Sequence, residues 1–277
     1  MFQSMTTITL TTIAVTFLIV LWATHHNPLN TLFRFLSALR HDRLLLFHVL
    51  AALAVLLLNK LELKLEQVLH WPLDFTPYVY RLEGAFIPFI QHSFESPLVT
   101  AVLTFFYIIV FTSLLVSSLF VYFQQRDCHA LYTLLYAIML NYFIAIPFFL
   151  FVPVYETWVY HPDVEFLIPH IYPSFEQEYR AMSGLDNCFP SLHTSMSVTL
   201  ALIAVRSKSR LFGQIVSVCA GIIVFSIFYL GIHWFLDAVA GTLLALISVK
   251  LARHLTLTSV GSHIKAFWVH DKPPSRL

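Results

Sequence analysis

Seven apolar runs, each close to the length of a membrane-spanning helix, constrain this chain more than any other feature. A helix needs ~20 mostly apolar residues to cross the hydrocarbon core of a bilayer. Such runs fall at about 5–23, 44–61, 97–123, 129–153, 189–205, 211–230 and 233–251. The fifth is short, and its first turn is expected to belong to a functional site. Only 11% of the 277 residues are charged and 58% are hydrophobic, against ~25% and 45–50% in soluble domains. A chain of that composition cannot coat itself for water. It is expected to be an all-α, polytopic transmembrane helix bundle.

Lysine and arginine give the expected orientation. Arg34, Arg40 and Arg43 follow the first run, and Arg126 follows the third. Arg206, Lys208 and Arg210 follow the fifth. Lys250, Arg253, Lys265, Lys272 and Arg276 follow the seventh. With seven spans all four segments share one side, read here as cytoplasmic. The N-terminus is then outside and the C-terminus inside. No lysine or arginine precedes Arg34, so the first run lacks the basic start of a cleavable signal. Residues 1–96 read as N-terminal spans with an outer amphipathic segment, 97–255 as a catalytic core, and 256–277 as a cytoplasmic tail. The stretch 60–66 is expected to form a surface-lying helix. The second outer loop, 155–188, is acidic and carries one arginine, Arg180.

A net charge of +1 offers no electrostatic footprint for nucleic acid. Cys128, Cys188 and Cys219 are scattered, without metal or disulfide spacing. Cys188 reads as a small apolar filler.

Ionisable residues inside spans are costly and usually functional. Two clusters qualify: Asn187-Cys-Phe-Pro-Ser-Leu-His193, and Ser226 through His233 to Asp237. The fifth run leads inward from His193, the sixth returns, and the seventh starts at His233, so both histidines belong to one membrane face. His233 and Asp237 are four apart, a spacing that lets a carboxylate fix one imidazole tautomer. Pro190 suits a first helical turn, where Ser191 and free amides make an anion-binding end. A phosphate there has His193 on one side and His233 on the other. One imidazole can attack phosphorus while the other protonates the leaving oxygen. Two blander readings stay open: a metal site of two histidines and an aspartate, and a satisfied structural network.

These residues resemble the type-2 phosphatidic-acid phosphatase superfamily. Pro190-Ser191-Leu192-His193 matches its P-S-G-H motif with leucine for glycine. Ser226, His233 and Asp237 match S-R-x5-H-x3-D with Ile227 in place of arginine. The P-S-L-H form without the arginine looks more like the branch of aureobasidin-resistance-type inositol-phosphorylceramide synthases. The resemblance covers about 129–251. It implies a six-helix phosphatase-type core, here with about one extra span, and a phosphohistidine on His233. It further implies an orienting role for Asp237, general-acid chemistry at His193, and phosphate held by Ser191 and Ser226. No cofactor or metal is implied. The partners are the membrane, a lipid phosphate, and water or an alcohol as acceptor. The family's first motif, K-x6-R-P, is absent before Asn187. Arg180 is the first candidate for its phosphate contact and Arg81 the second. The rival class is a non-enzymatic lipid-binding or carrier protein using the same histidines for recognition.

Overall fold

The computed structural model describes residues 4–69, 73–179 and 184–260. They form an all-α polytopic bundle, and among them the only β pairing is an isolated bridge between Val154 and Asn187. In chain order the helices are α1 (Met5–Thr24), α2 (Pro28–His41), α3 (Arg43–Leu69), α4 (Thr76–Glu83), α5 (Phe86–Phe94), α6 (Pro97–Phe105), α7 (Phe111–Gln124) and α8 (Cys128–Phe151). They continue with α9 (Thr157–Tyr160), α10 (Phe175–Tyr179), α11 (Leu192–Ala204), α12 (Arg210–Tyr229) and α13 (Phe235–Leu255). A π turn, Phe106–Val110, joins α6 to α7, so Pro97–Gln124 is one continuous span. A second π turn carries α13 on to Val260. The spanning helix therefore ends past residue 255, with Thr256 buried against Thr133 (3.2 Å).

Five described helices are long and apolar enough to span: α1, α6–α7, α8, α12 and α13 with its π turn. The expected run at 44–61 lies in α3, which meets α2 at a 107° bend. Asp42 sits at this corner, and its Oδ1 accepts from the amides of Leu44 (2.9 Å) and Leu45 (3.1 Å). Two expectations change. First, α3 runs unbroken to Leu69, so 60–66 belongs to the C-terminal part of that helix and not to a separate surface-lying one. Charged residues past the bilayer core do not interrupt a helix; they lower only its hydropathy. Second, the fifth run yields only the 13 residues of α11, about 20 Å long. Four residues of the expected run, 189–191 and 205, stay outside the helix.

α11 is held by its neighbours. Asn141, in the middle of α8, donates to Thr199 Oγ1 (3.2 Å) and accepts from the Ser195 hydroxyl. Interhelical bonds of this kind contribute about 0.6 kcal/mol each inside a membrane. Gly241 of α13 faces the first turn of α11, where an added Cβ would lie 2.5 Å from the Ser191 carbonyl oxygen. Only glycine permits that approach.

The turns at the basic end are tied together. Asp127 caps α8 through the Ala130 amide (3.1 Å) and accepts from Lys208 N (3.0 Å). Lys208 Nζ donates to the Arg126 carbonyl (2.8 Å). Arg34 reaches Gln124 (3.4 Å), and Gln125 reaches the Ala23 carbonyl (3.3 Å). The segments after the first, third and fifth runs therefore meet at one end of the bundle.

At the opposite end, residues 73–95, 153–179 and 184–189 are laced over the α12–α13 turn. Thr157 and Trp158 amides donate to the carbonyls of Ile232 (3.1 Å) and Gly231 (3.0 Å). The Trp234 indole donates to the Tyr155 carbonyl (2.8 Å). Gln91 pairs with the Glu165 backbone in both directions and also donates to the Tyr229 carbonyl (2.9 Å). Gly231 has φ +78°, and a Cβ there would strike the Glu165 oxygen at 2.5 Å.

Candidate active site

The fold brings the two motif clusters together at this laced end. Ser191 is the N-cap of α11, and its Oγ accepts from Thr194 N (3.3 Å). Ser191 N donates to the Asp237 backbone carbonyl (3.1 Å), so the start of α11 rests directly on α13. Pro190 precedes the cap, outside the first helical turn expected for it. The amides of Leu192 and His193 come before the first intrahelical bond, Ser195 N to Ser191 O (2.9 Å). Amides in that position favour an anion.

His193 lies in the first turn of α11, clasped by aromatic rings. Tyr107 stacks on it (centroids 4.2 Å, 20° between planes), and Phe111 packs at 4.6 Å. Tyr107 belongs to the π turn. The extra residue of a π turn rotates the helix faces on either side of it, and such turns recur at functional sites. His193 and His233 are close enough to interact electrostatically.

His233 does not begin α13, as its spacing from Asp237 suggests. It sits in the turn, before the N-cap Trp234. Its Nδ1 is nevertheless 3.3 Å from Asp237 Oδ2, and both groups are buried. The same Oδ2 accepts from Trp234 N (3.0 Å). One carboxylate oxygen thus ends the turn and orients the imidazole. With Nδ1 facing the carboxylate, the Nε2 lone pair is the reactive one.

Cys188 is more than filler. Its thiol donates to the Ile232 carbonyl (3.2 Å), and its sulfur, a His233 nitrogen and an Asp237 oxygen all lie within 4.8 Å of one another. Sulfur, nitrogen and oxygen donors so placed can hold a soft divalent ion. Spacing alone could not reveal this trio, because Cys188 joins it across the bundle.

Ser226 is fully buried in α12 and donates to the Ile223 carbonyl (2.7 Å). That partner lies within its own helix, unlike the phosphate-facing role its motif position suggests. Ile227, at the motif's arginine position, is packed in an apolar cluster with Phe228 and Tyr229. Arg180 lies outside the described residues. Arg81 is exposed at the end of α4 and lines a cleft of about 450 Å³ with Glu83, Phe86 and Phe235, the last in the first turn of α13. Three of the other histidines have ordinary partners: His48 bonds Tyr136 (2.8 Å), His161 the Gly84 carbonyl (2.7 Å), and His170 pairs with Glu165 (3.0 Å).

Two features escape a reading of the sequence. The Tyr107–Phe111 clasp hides in an apolar run, where aromatics look lipid-facing. Glu83 hides in an outer segment, yet both its oxygens accept from Leu236 N of α13, at 3.0 and 3.2 Å.

No curated protein and no solved structure matches the chain. The sequence model described as the PAP2 superfamily matches residues 79–251, beginning in α4 and so including Arg81, Glu83 and everything from the π turn to α13. That match covers well over half the chain and contains both histidines with their partners, and the protein therefore belongs to the PAP2 superfamily.

Proposed function

We propose that the protein is a lipid-phosphate phosphoesterase working through a phosphohistidine on His233. The observation that carries this is the buried His233–Asp237 contact of 3.3 Å, set against the capped start of α11 with His193 beside it. His233 Nε2 forms the N–P bond as the bond from phosphorus to the leaving oxygen breaks, and His193 gives that oxygen its proton. Asp237 stabilises the charge gained by the His233 ring. His193 then takes a proton from water as the water oxygen attacks phosphorus. Free phosphate leaves and the Nε2 lone pair returns.

The α11 amides and Ser191 are the proposed cradle for the phosphate, with Arg180 and Arg81 as candidate cations. Ser226 is left a structural part. The substrate is a lipid phosphate or diphosphate presented from the bilayer. The Lys/Arg distribution supports a site on the non-cytoplasmic face, with the N-terminus outside and the C-terminus in the cytoplasm. Leu192 and Ile227, both departures from the general motifs, favour a second reading. In it an alcohol takes the place of water and the product is a transferred headgroup.

Purified protein in EDTA should release phosphate from a panel of lipid phosphates, and vanadate should block it by mimicking pentavalent phosphorus. Added alcohols that divert product into a new phosphodiester would establish transfer. Loss of activity in EDTA, restored by zinc, would make Cys188, His233 and Asp237 a metal centre. Release from no member of the panel would favour the carrier reading.

A further inference from the structure

The first amides of a helix have no carbonyl partners of their own, and the residue before α13 is poorly equipped to serve them. Trp234 is the N-cap, and an indole donates but does not accept. Asp237 Oδ2 turns back to the Trp234 amide and to His233, which precede the helix. The acceptor for the first turn comes instead from α4. Both oxygens of Glu83 take the Leu236 amide, from 153 positions away in the chain.

The arm that carries Glu83 is itself fixed. The Gly84 amide closes α4 on Tyr80 O (2.8 Å), and His161 Nε2 donates to Gly84 O (2.7 Å). His161 Nδ1 accepts from Asp163 N (3.0 Å), which sets that tautomer. Phe86 packs on Phe235 (5.2 Å) and Phe228 (5.6 Å). The carboxylate is therefore delivered to α13 by a braced turn and not by a free loop.

We infer that Glu83 is a positioning residue for His233, acting through the first turn of α13; the inference rests on His233 being the nucleophile. His233 lies two residues ahead of the helix, so its direction is set by Asp237, and Asp237 is set by the rotation of that first turn. At 3.3 Å the His233–Asp237 contact is already at the long end of hydrogen bonding. A first turn that loses its acceptor and swings outward breaks it. What Glu83 supplies is an acceptor at a fixed place. The nearby Asp237 carboxylate opposes its charge, so the place of the acceptor is what its variants isolate.

Glu83→Ala, Glu83→Gln and Glu83→Asp in the full chain, assayed on phosphatidate in mixed micelles, test this. Glu83→Ala should lower kcat about 10- to 100-fold, as loss of an orienting partner does, with KM unchanged. Glu83→Gln keeps an acceptor oxygen and should restore kcat. Glu83→Asp keeps the charge but withdraws it by one methylene, and should resemble the alanine variant. If Glu83→Ala does not fold, the Gln and Asp variants decide alone. A glutamine variant as poor as the aspartate one would overturn the inference. So would a rise in KM at constant kcat, which would mean that Glu83 touches substrate in the Arg81 cleft. Wild-type turnover with no phosphate on His233 overturns the nucleophile reading instead, and is seen before any variant is compared.

Discussion

The two histidines sit at the starts of neighbouring helices, yet their surroundings differ in kind. His233 is held by charge and hydrogen bonds: Asp237 on its Nδ1, Cys188 nearby, and Glu83 on the turn behind. His193 is held by ring faces, Tyr107 and Phe111, with a helix cap beneath it. A carboxylate partner favours an imidazole that gains positive charge, as a nucleophile does on forming a bond to phosphorus. A clasp of rings fixes orientation without adding a formal negative charge, which suits a group that hands a proton over and takes it back. In the proposed mechanism one side chain type thus serves two roles because of what each helix start brings to it.

The comparison is broken most directly at His233. His233→Ala should leave only background turnover, and rapid acid quench with radiolabelled lipid phosphate should trap no phosphoenzyme. Phosphate recovered on His193 of this variant would exchange the two roles.

His193→Ala should fall less uniformly. With a lipid phosphate the loss should be about 10²- to 10⁴-fold, the usual worth of general acid catalysis. With a nitrophenyl phosphate ester, whose leaving group needs little protonation, the loss should be much smaller. Equal losses on both substrates would show that His193 acts on something other than the leaving oxygen.

Asp237→Asn should give the smallest effect of the three, about 10- to 100-fold in kcat, and should show it on both substrates alike. The imidazole stays in place while its tautomer and basicity are no longer enforced. A loss confined to the lipid substrate would move Asp237 into the service of His193, and the contrast between the two sites would disappear.

Much of this was legible in the sequence, for definable reasons. Hydropathy reports apolar length, so α1, α8, α12 and α13 begin within a residue or two of the expected places. It says nothing of where a run stops being helical, which is why α11 is shorter than its run and α3 is longer. His233 and Asp237 announce themselves because spacing encodes contacts within a turn. Glu83 meeting Leu236, Tyr107 meeting His193, and Cys188 meeting Asp237 are contacts between elements, and no local pattern marks them. The 107° corner between α2 and α3 is equally silent, since α2 carries Arg34 and Arg40 and reads as a basic connection between runs.

The shortness of α11 has a consequence for water. Its 13 residues end at the same basic end from which the 24 of α8 set out, and the difference is about 17 Å of helix at 1.5 Å per residue. The missing length is roofed by the segments 73–95, 153–179 and 184–189. In the proposed reaction a phosphate meets His193 beneath this roof, exchanging its hydration shell for fixed amides and imidazoles. Sites that substitute oriented protein dipoles for solvent strengthen every electrostatic contact within them. On the proposed reading the truncated helix supplies depth, and depth lets a few neutral donors share the work of the candidate cations.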